Sequence, residues 1–285
     1  MVIRINGADA DIKPETEKTV GEILSGLESW LTGSGHRMSG LVIDDIPVDS
    51  NSMDECFNKE IDTIKVLDIK TSSVSQLLAE CLVSLLQDTN TWENTSFSEK
   101  VYFMSNWQKS PEACMLSEQV PVLYDLAVKT FSGEGAGSQV LRQLTEEHLR
   151  ELQDPVGETG KSETAVTEIC TRLEELPLDM QTGKDSRAVE TIKTFSGILE
   201  KIFRIIGILK MEGFPVAKIN INNTPVAAYI AEFNTALREL LCAYEQYDTV
   251  LVGDLAEYEM APRLRDLYAA VWDTIRGDIN EQHTH

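Results

Sequence analysis

Val2-Ile3-Arg4-Ile5-Asn6-Gly7-Ala8-Asp9-Ala10-Asp11-Ile12 alternates apolar and polar residues around a turn, and this stretch sets the class of everything before residue 72. Side chains alternate faces along an extended chain, so Val2 to Ile5 predicts a strand, Asn6 to Asp9 a turn, and Ala10 to Ile12 the returning strand. Thr19 then caps a helix in which Val20, Ile23, Leu24, Leu27, Trp30 and Leu31 recur at three and four residues. Gly33-Ser34-Gly35 ends it. A third strand follows at Gly40 to Ile43, a turn at Asp44-Asp45, a fourth strand at Ile46 to Val48, a helical turn at Met53 to Phe57, and a last strand at Thr63 to Ile69.

Beyond Ser73 the period changes from two to that of a helix. Val74, Leu77, Leu78, Cys81, Leu82, Leu85 and Leu86 form one stripe, and Phe97, Val101, Tyr102 and Trp107 mark a second helix. Ser110-Pro111-Glu112 opens a segment that reaches Phe131 with a bend at Pro121, since proline is well placed in a first helical turn and disruptive later. Further helices are expected near 138–152, 163–176 and 186–211, from Thr224-Pro225 past Tyr247, and from Asp254 to Arg276 with an interruption at Pro262. Ala217 to Ile221 reads as a short strand for which the sequence offers no partner. The expected architecture is α+β, with a small domain at 1–72 and a helical domain at 73–285.

The ββαβ(β)β order of the first segment resembles the β-grasp, or ubiquitin-like, fold. That resemblance implies docking through a sheet face or edge. Carrier members of the family end in a free Gly-Gly, whereas this chain runs through Lys70-Thr71-Ser72-Ser73 into a helix. Ferredoxin-type members need four cysteines, and only Cys56 is present here. A second stretch, from Asp248 through Gly253-Asp254-Leu255-Ala256-Glu257-Tyr258-Glu259 to Pro262 and Leu264, resembles a helical segment of uncharacterised bacterial proteins and implies no activity.

Charge narrows the partners. With 25 Lys and Arg against 47 Asp and Glu, the formal net charge is −22, a field that repels a nucleic-acid backbone. No apolar run approaches the roughly 20 residues of a membrane span. Cys56, Cys81, Cys114, Cys170 and Cys242 are scattered without metal or redox spacing, which suits buried thiols in the cytoplasm.

Several motifs invite chemistry. Pro155-Val156-Gly157-Glu158-Thr159-Gly160-Lys161-Ser162 nearly spells a phosphate-binding loop, and Gly160, Lys161 and Ser162 would then carry a nucleotide. It lacks the leading glycine and the preceding strand, so a flexible polar connector is the plainer expectation. Gly133-Glu134-Gly135-Ala136-Gly137 reads as a helix end with a linker rather than an anion cradle. His36, His148, His283 and His285 are dispersed, and Glu147, His148 and Glu151 occupy what reads as a solvated face, so no metal or other cofactor is expected. Asp44, Asp45 and Asp49, with Asp54 and Glu55, crowd one end of the first domain, and Asp254, Glu257 and Glu259 crowd the last helical stretch. Both groups suit docking of a basic protein partner. The sequence therefore suggests a non-enzymatic adaptor or scaffold of the bacterial cytoplasm, with a nucleotide-binding regulator using 155–162 as the alternative. The wide apolar stripe of the 186–211 helix predicts a central core element, with a homo-oligomer surface as the second choice.

Overall fold

The computed structural model describes residues 1–49, 52–134 and 137–282. His283 and His285 of the tail, and Gly135 and Ala136 of the glycine-rich loop, lie outside the described residues. The chain divides into two compact units, Met1–Thr145 and Glu146–His285.

In the first unit, strand β1 (Val2–Ile5) returns directly into β2 (Ala8–Asp9). Asn6 and Gly7 both take positive φ (51° and 83°), so the turn is a two-residue one whose twist matches the strands. This is tighter than the turn and the strand at Ala10 to Ile12 expected from the sequence. Helix α1 (Val20–Gly33) begins with a capping box, in which Thr19 and Glu22 each satisfy the other's backbone N–H. Strand β3 (His36–Ile43) turns through Asp44 and Asp45 (φ 48° and 66°) into β4 (Ile46–Pro47). Helix α2 (Met53–Phe57), a 3₁₀ turn at Ile61–Thr63 and β5 (Val66–Ser73) complete the sheet.

The sheet order is β2-β1-β5-β3-β4, with β1 parallel to β5 and the other pairs antiparallel. Ile3, Leu41, Ile43, Leu67 and Ile69 pack with Val20, Ile23 and Leu24 of α1 into one buried cluster. Both β3 and β5 are longer than their apolar alternation suggests. A register shift between Met38 and Gly40 lets His36 and Arg37 pair with Ser73 and Ser72, so ladder hydrogen bonds supply what the polar side chains do not. Strand β5 runs straight into α3 (Val74–Asn94), capped by Ser73 and Gln76.

Helices α4 (Phe97–Trp107), α5 (Pro111–Gln119) and α6 (Pro121–Phe131) follow. Pro121 separates two helices instead of bending one, because it lacks an N–H and Val120 before it is held out of the helical region (φ −140°, ψ 63°). The boundary between the units falls within α7 (Gly137–Gln153).

The second unit contains α8 (Pro155–Lys161), α9 (Glu163–Glu174), α10 (Leu176–Gln181) and the long α11 (Asp185–Met211). Strands β6 (Asn220–Ile221) and β7 (Thr224–Pro225) then form a hairpin through Asn222 and Asn223, both at positive φ. Thr224 and Pro225 are thus the partner that Ala217 to Ile221 lacked in the sequence, and α12 (Val226–Glu245) starts one residue later than Pro225. Helix α13 (Thr249–Leu255), a π turn at Ala256–Met260 and α14 (Ala261–Gln282) close the chain.

The core of this unit surrounds α11. Phe195, Leu199, Ile202, Ile206 and Leu209 are buried together with Phe233 of α12 and Leu264, Leu267 and Val271 of α14, so the wide apolar stripe is a core face. The fold class is α+β, and no described helix is long and apolar enough to cross a membrane.

Candidate functional site

The acidic residues singled out in the sequence fall into two settings. In the first unit, Asp44 Oδ1 accepts the backbone N–H groups of Lys65 and Val66, both at 2.8 Å. Those bonds, led by the one from Val66, hold its carboxyl below the ordinary value and tie the β3–β4 turn to the start of β5. Asp45 and Asp49 are exposed nearby in sequence. In the second unit, Glu259 is engaged in an ion pair with Arg263 (2.8 Å), whereas Asp254 is exposed and Glu257 half-buried beside the exposed Tyr258.

The segment around these two carboxylates combines acidic charge with exposed apolar side chains. Between Arg238 and Arg263 the chain carries Glu239, Glu245, Asp248, Asp254, Glu257 and Glu259 and no Lys, Arg or His. Along the same stretch, large apolar side chains face solvent: Leu241 is 55% exposed, Tyr247 89%, Val250 70% and Tyr258 65%, with Tyr244 and Leu251 less so. Isolated exposed apolar residues are ordinary, but several on consecutive turns, fringed by polar groups, mark a contact surface.

Local backbone chemistry builds this corner. Helix α12 ends in a Schellman motif: Tyr247 N–H donates to the Tyr244 carbonyl (3.1 Å) and Asp248 N–H to that of Ala243 (3.0 Å). The motif demands a left-handed residue, normally glycine, and Tyr247 fills it at φ 58°. A β-carbon there meets the carbonyl and strains the chain, so Tyr247 stands where folding alone favours glycine. Asp248 then caps α13, its Oδ1 accepting the Leu251 N–H (3.0 Å). Pro262, which has no N–H and whose ring crowds the carbonyl four residues back, coincides with the π turn, where Ala261 N–H reaches five residues back to Ala256. Close approach is also built in, since a β-carbon on Gly253 would lie 3.1 Å from Pro177 of α10. Hydrogen bonding to Glu257, together with its charge and that of Asp254, raises the Tyr258 phenol above its ordinary pKa, so these three side chains form one electrostatic neighbourhood.

Residues 155–162 are a different matter. Residues Pro155–Lys161 are helix α8, capped by Asp154, whose Oδ1 accepts the Gly157 N–H (2.8 Å). The segment is thus helical, where the sequence suggested a flexible connector or a phosphate-binding loop. The Gly157 and Glu158 amides are taken by Asp154, and Ser162 Oγ, buried, donates to the Glu158 carbonyl (2.8 Å). Lys161 is paired with Glu158 (2.9 Å), and a β-carbon on Gly160 would lie 3.1 Å from the Trp272 ring. The buried Glu158 also receives Lys201 Nζ (2.8 Å), and the two lysines, Lys201 first, hold its carboxyl below the ordinary range.

Glu151 departs most from its sequence reading. Far from lying on a solvated face, it is fully buried and held by a two-pronged Arg204 contact, Nε to Oε2 at 2.9 Å and Nη2 to Oε1 at 2.8 Å. Among the described residues no group of three His, Cys, Asp or Glu side chains is placed to hold a metal ion. The exposed tyrosines and valine of the corner were missed in the sequence because the helix there was read as running past Tyr247. The base-free run from 239 to 262 was the available signal.

Comparisons with known proteins bear on both units. Residues 1–73 match the family described as the TP0873 N-terminal domain, and residues 161–270 match one described as a domain of unknown function, DUF8042. A protein of Treponema pallidum (strain Nichols), named "Uncharacterized protein", is 22% identical over 270 residues, covering 94% of each chain. No solved structure matches. The second family match contains the whole acidic corner.

Proposed function

We propose that this chain is a non-enzymatic adaptor of the cytoplasm that docks a basic protein partner on the Leu241 to Tyr258 corner. The carrying observation is the left-handed Tyr247, a side chain that is solvent-facing and strained, with exposed Tyr244 and Val250 near it in sequence and no basic residue between Arg238 and Arg263. Strain of this kind is characteristic of sites selected for contact rather than for folding. Aromatic anchors supply most of the affinity at such surfaces, while the surrounding charge selects the partner and speeds its approach. Asp254 and Glu257 are the selecting charges. All five cysteines are free, which supports a reducing compartment.

Residues 1–72 are read as a β-grasp domain. Its support is the sheet order β2-β1-β5-β3-β4 around a central parallel β1/β5 pair, with α1 packed on one face.

The test is retention of partners from a lysate of the source organism by the full chain and by its Asp254→Lys/Glu257→Lys variant. A basic protein held by the wild type, released by salt and absent from the variant supports the reading. Equal retention by both chains refutes it.

A further inference from the structure

The first unit carries a partly uncovered sheet edge beside a groove. Strand β4 covers β3 only at Val42 and Ile43, with one further bond from Val48 N–H to the Leu41 carbonyl. On that side, His36 to Gly40 has no neighbouring strand among the described residues. The register fixes which groups are left over. Val74 N–H donates to the Gly35 carbonyl, and His36 and Met38 stand opposite Ser73 and Thr71. In an antiparallel ladder this makes Arg37 and Ser72 the bonded pair and turns the main-chain N–H and C=O of His36 and Met38 away from β5.

Beside this open edge runs a groove of about 690 Å³ between α1 and β3. Its lining includes the apolar Leu24, Leu27, Leu31, Met38 and Phe57, and the exposed Glu28. Arg37 is neutralised by Glu118 (3.0 Å), whereas Glu28 has no ion pair among the described residues. The dimensions agree. From Gly21 to Thr32 the α1 wall extends about 17 Å at about 1.5 Å per residue, and five extended residues span about 17 Å at about 3.3 Å each. Five is also the length of the open edge.

We propose that this groove binds an extended peptide segment of a partner by strand addition to β3. Main-chain pairing with His36 and Met38 would give affinity, apolar side chains at alternate positions would enter the groove, and a lysine or arginine would face Glu28. The open edge is otherwise a template for unwanted pairing, and the groove gives it one preferred occupant.

The probe is an end-blocked synthetic pentapeptide alternating isoleucine and lysine, added to the full chain and followed by hydrogen exchange at single amides. The His36 and Met38 amides should exchange fast in the free chain and slow by about tenfold or more with peptide. The same peptide methylated on its backbone nitrogens should give no protection. Met38→Pro removes one outward donor at an edge position that tolerates proline, and it should abolish the effect while amides of β5 keep their protection. If that variant does not fold, the methylated peptide decides alone. No protection by the unmodified peptide, or protection that survives methylation, overturns the proposal. Amides already slow in a free chain that sediments as a dimer would assign the edge to a second copy and also overturn it.

Discussion

Replacing Tyr247 separates what the corner does for folding from what it does for binding. A non-glycine residue in the left-handed region costs about 1–2 kcal/mol, and Tyr247 sits there at φ 58°. Glycine removes that cost but gives the unfolded chain more freedom, which offsets about 0.5–1 kcal/mol. Alanine removes the same ring while keeping the β-carbon and hence the strain. Tyr247→Gly should therefore be more stable than Tyr247→Ala by just under about 1 kcal/mol, or about 3 °C in the melting of a unit of this size. The lost ring area is small, because the side chain is 89% exposed; about 20 Å² at about 25 cal/mol per Å² is about 0.5 kcal/mol. Binding should respond differently, with both variants losing at least about 2 kcal/mol, roughly thirtyfold, if Tyr247 is an anchor. Urea titration and partner titration of the two variants, side by side, give the comparison. A glycine variant less stable than the alanine one would refute the strain argument. Unchanged partner affinity in both would refute the anchor.

Other perturbations reach the interior. Arg204→Met leaves the fully buried Glu151 without its partner and should cost about 3–5 kcal/mol, whereas Glu151→Leu/Arg204→Met together should recover most of it; urea midpoints decide. Glu158 is held below its ordinary value of 4.5 by Lys201 and Lys161, so its contribution is full above that value and fades as pH falls through the lower folded value. The stability gap between wild type and Glu158→Gln should accordingly narrow between pH 5 and pH 3, and a gap that widens on acidification would contradict the pairing. ATP or GTP with magnesium should leave the melting temperature unchanged, since Lys161 is paired with Glu158 and the Gly157 amide is taken by Asp154; a binder would gain about 2.7 kcal/mol at a hundredfold excess over Kd.

How much of this was legible in the sequence depended on whether the signal was local. Thr19 with Glu22 and Ser110 with Pro111 are caps written within four residues, and both helices start where those residues place them. The α11 stripe is equally local, because its burial follows from its width. Features made by distant partners were hidden. Strand β3 reaches back to His36 because β5 pairs with it, and the hairpin at Ile221 depends on two residues that looked like the start of a helix. Glu151 reads as a surface acid until Arg204, on another helix, is placed against it. The same holds for the acidic corner. Asp254 and Glu257 were visible as charges, but the break at Tyr247, on either side of which Tyr244 and Val250 are exposed, is a backbone event that Gln246-Tyr247-Asp248 does not announce.

Site-specific photocrosslinking from the corner tests the docking claim most directly. A benzophenone side chain placed at Val250, 70% exposed, should yield one adduct with a basic protein in cells of the source organism. The same group at Lys13, whose side chain is 89% exposed on the other unit, serves as the control and should give no such adduct. The Val250 yield should fall in lysate as salt rises toward about 1 M, where the screening length is about 3 Å. An adduct of equal yield from both positions, or none from Val250, would contradict docking at this corner.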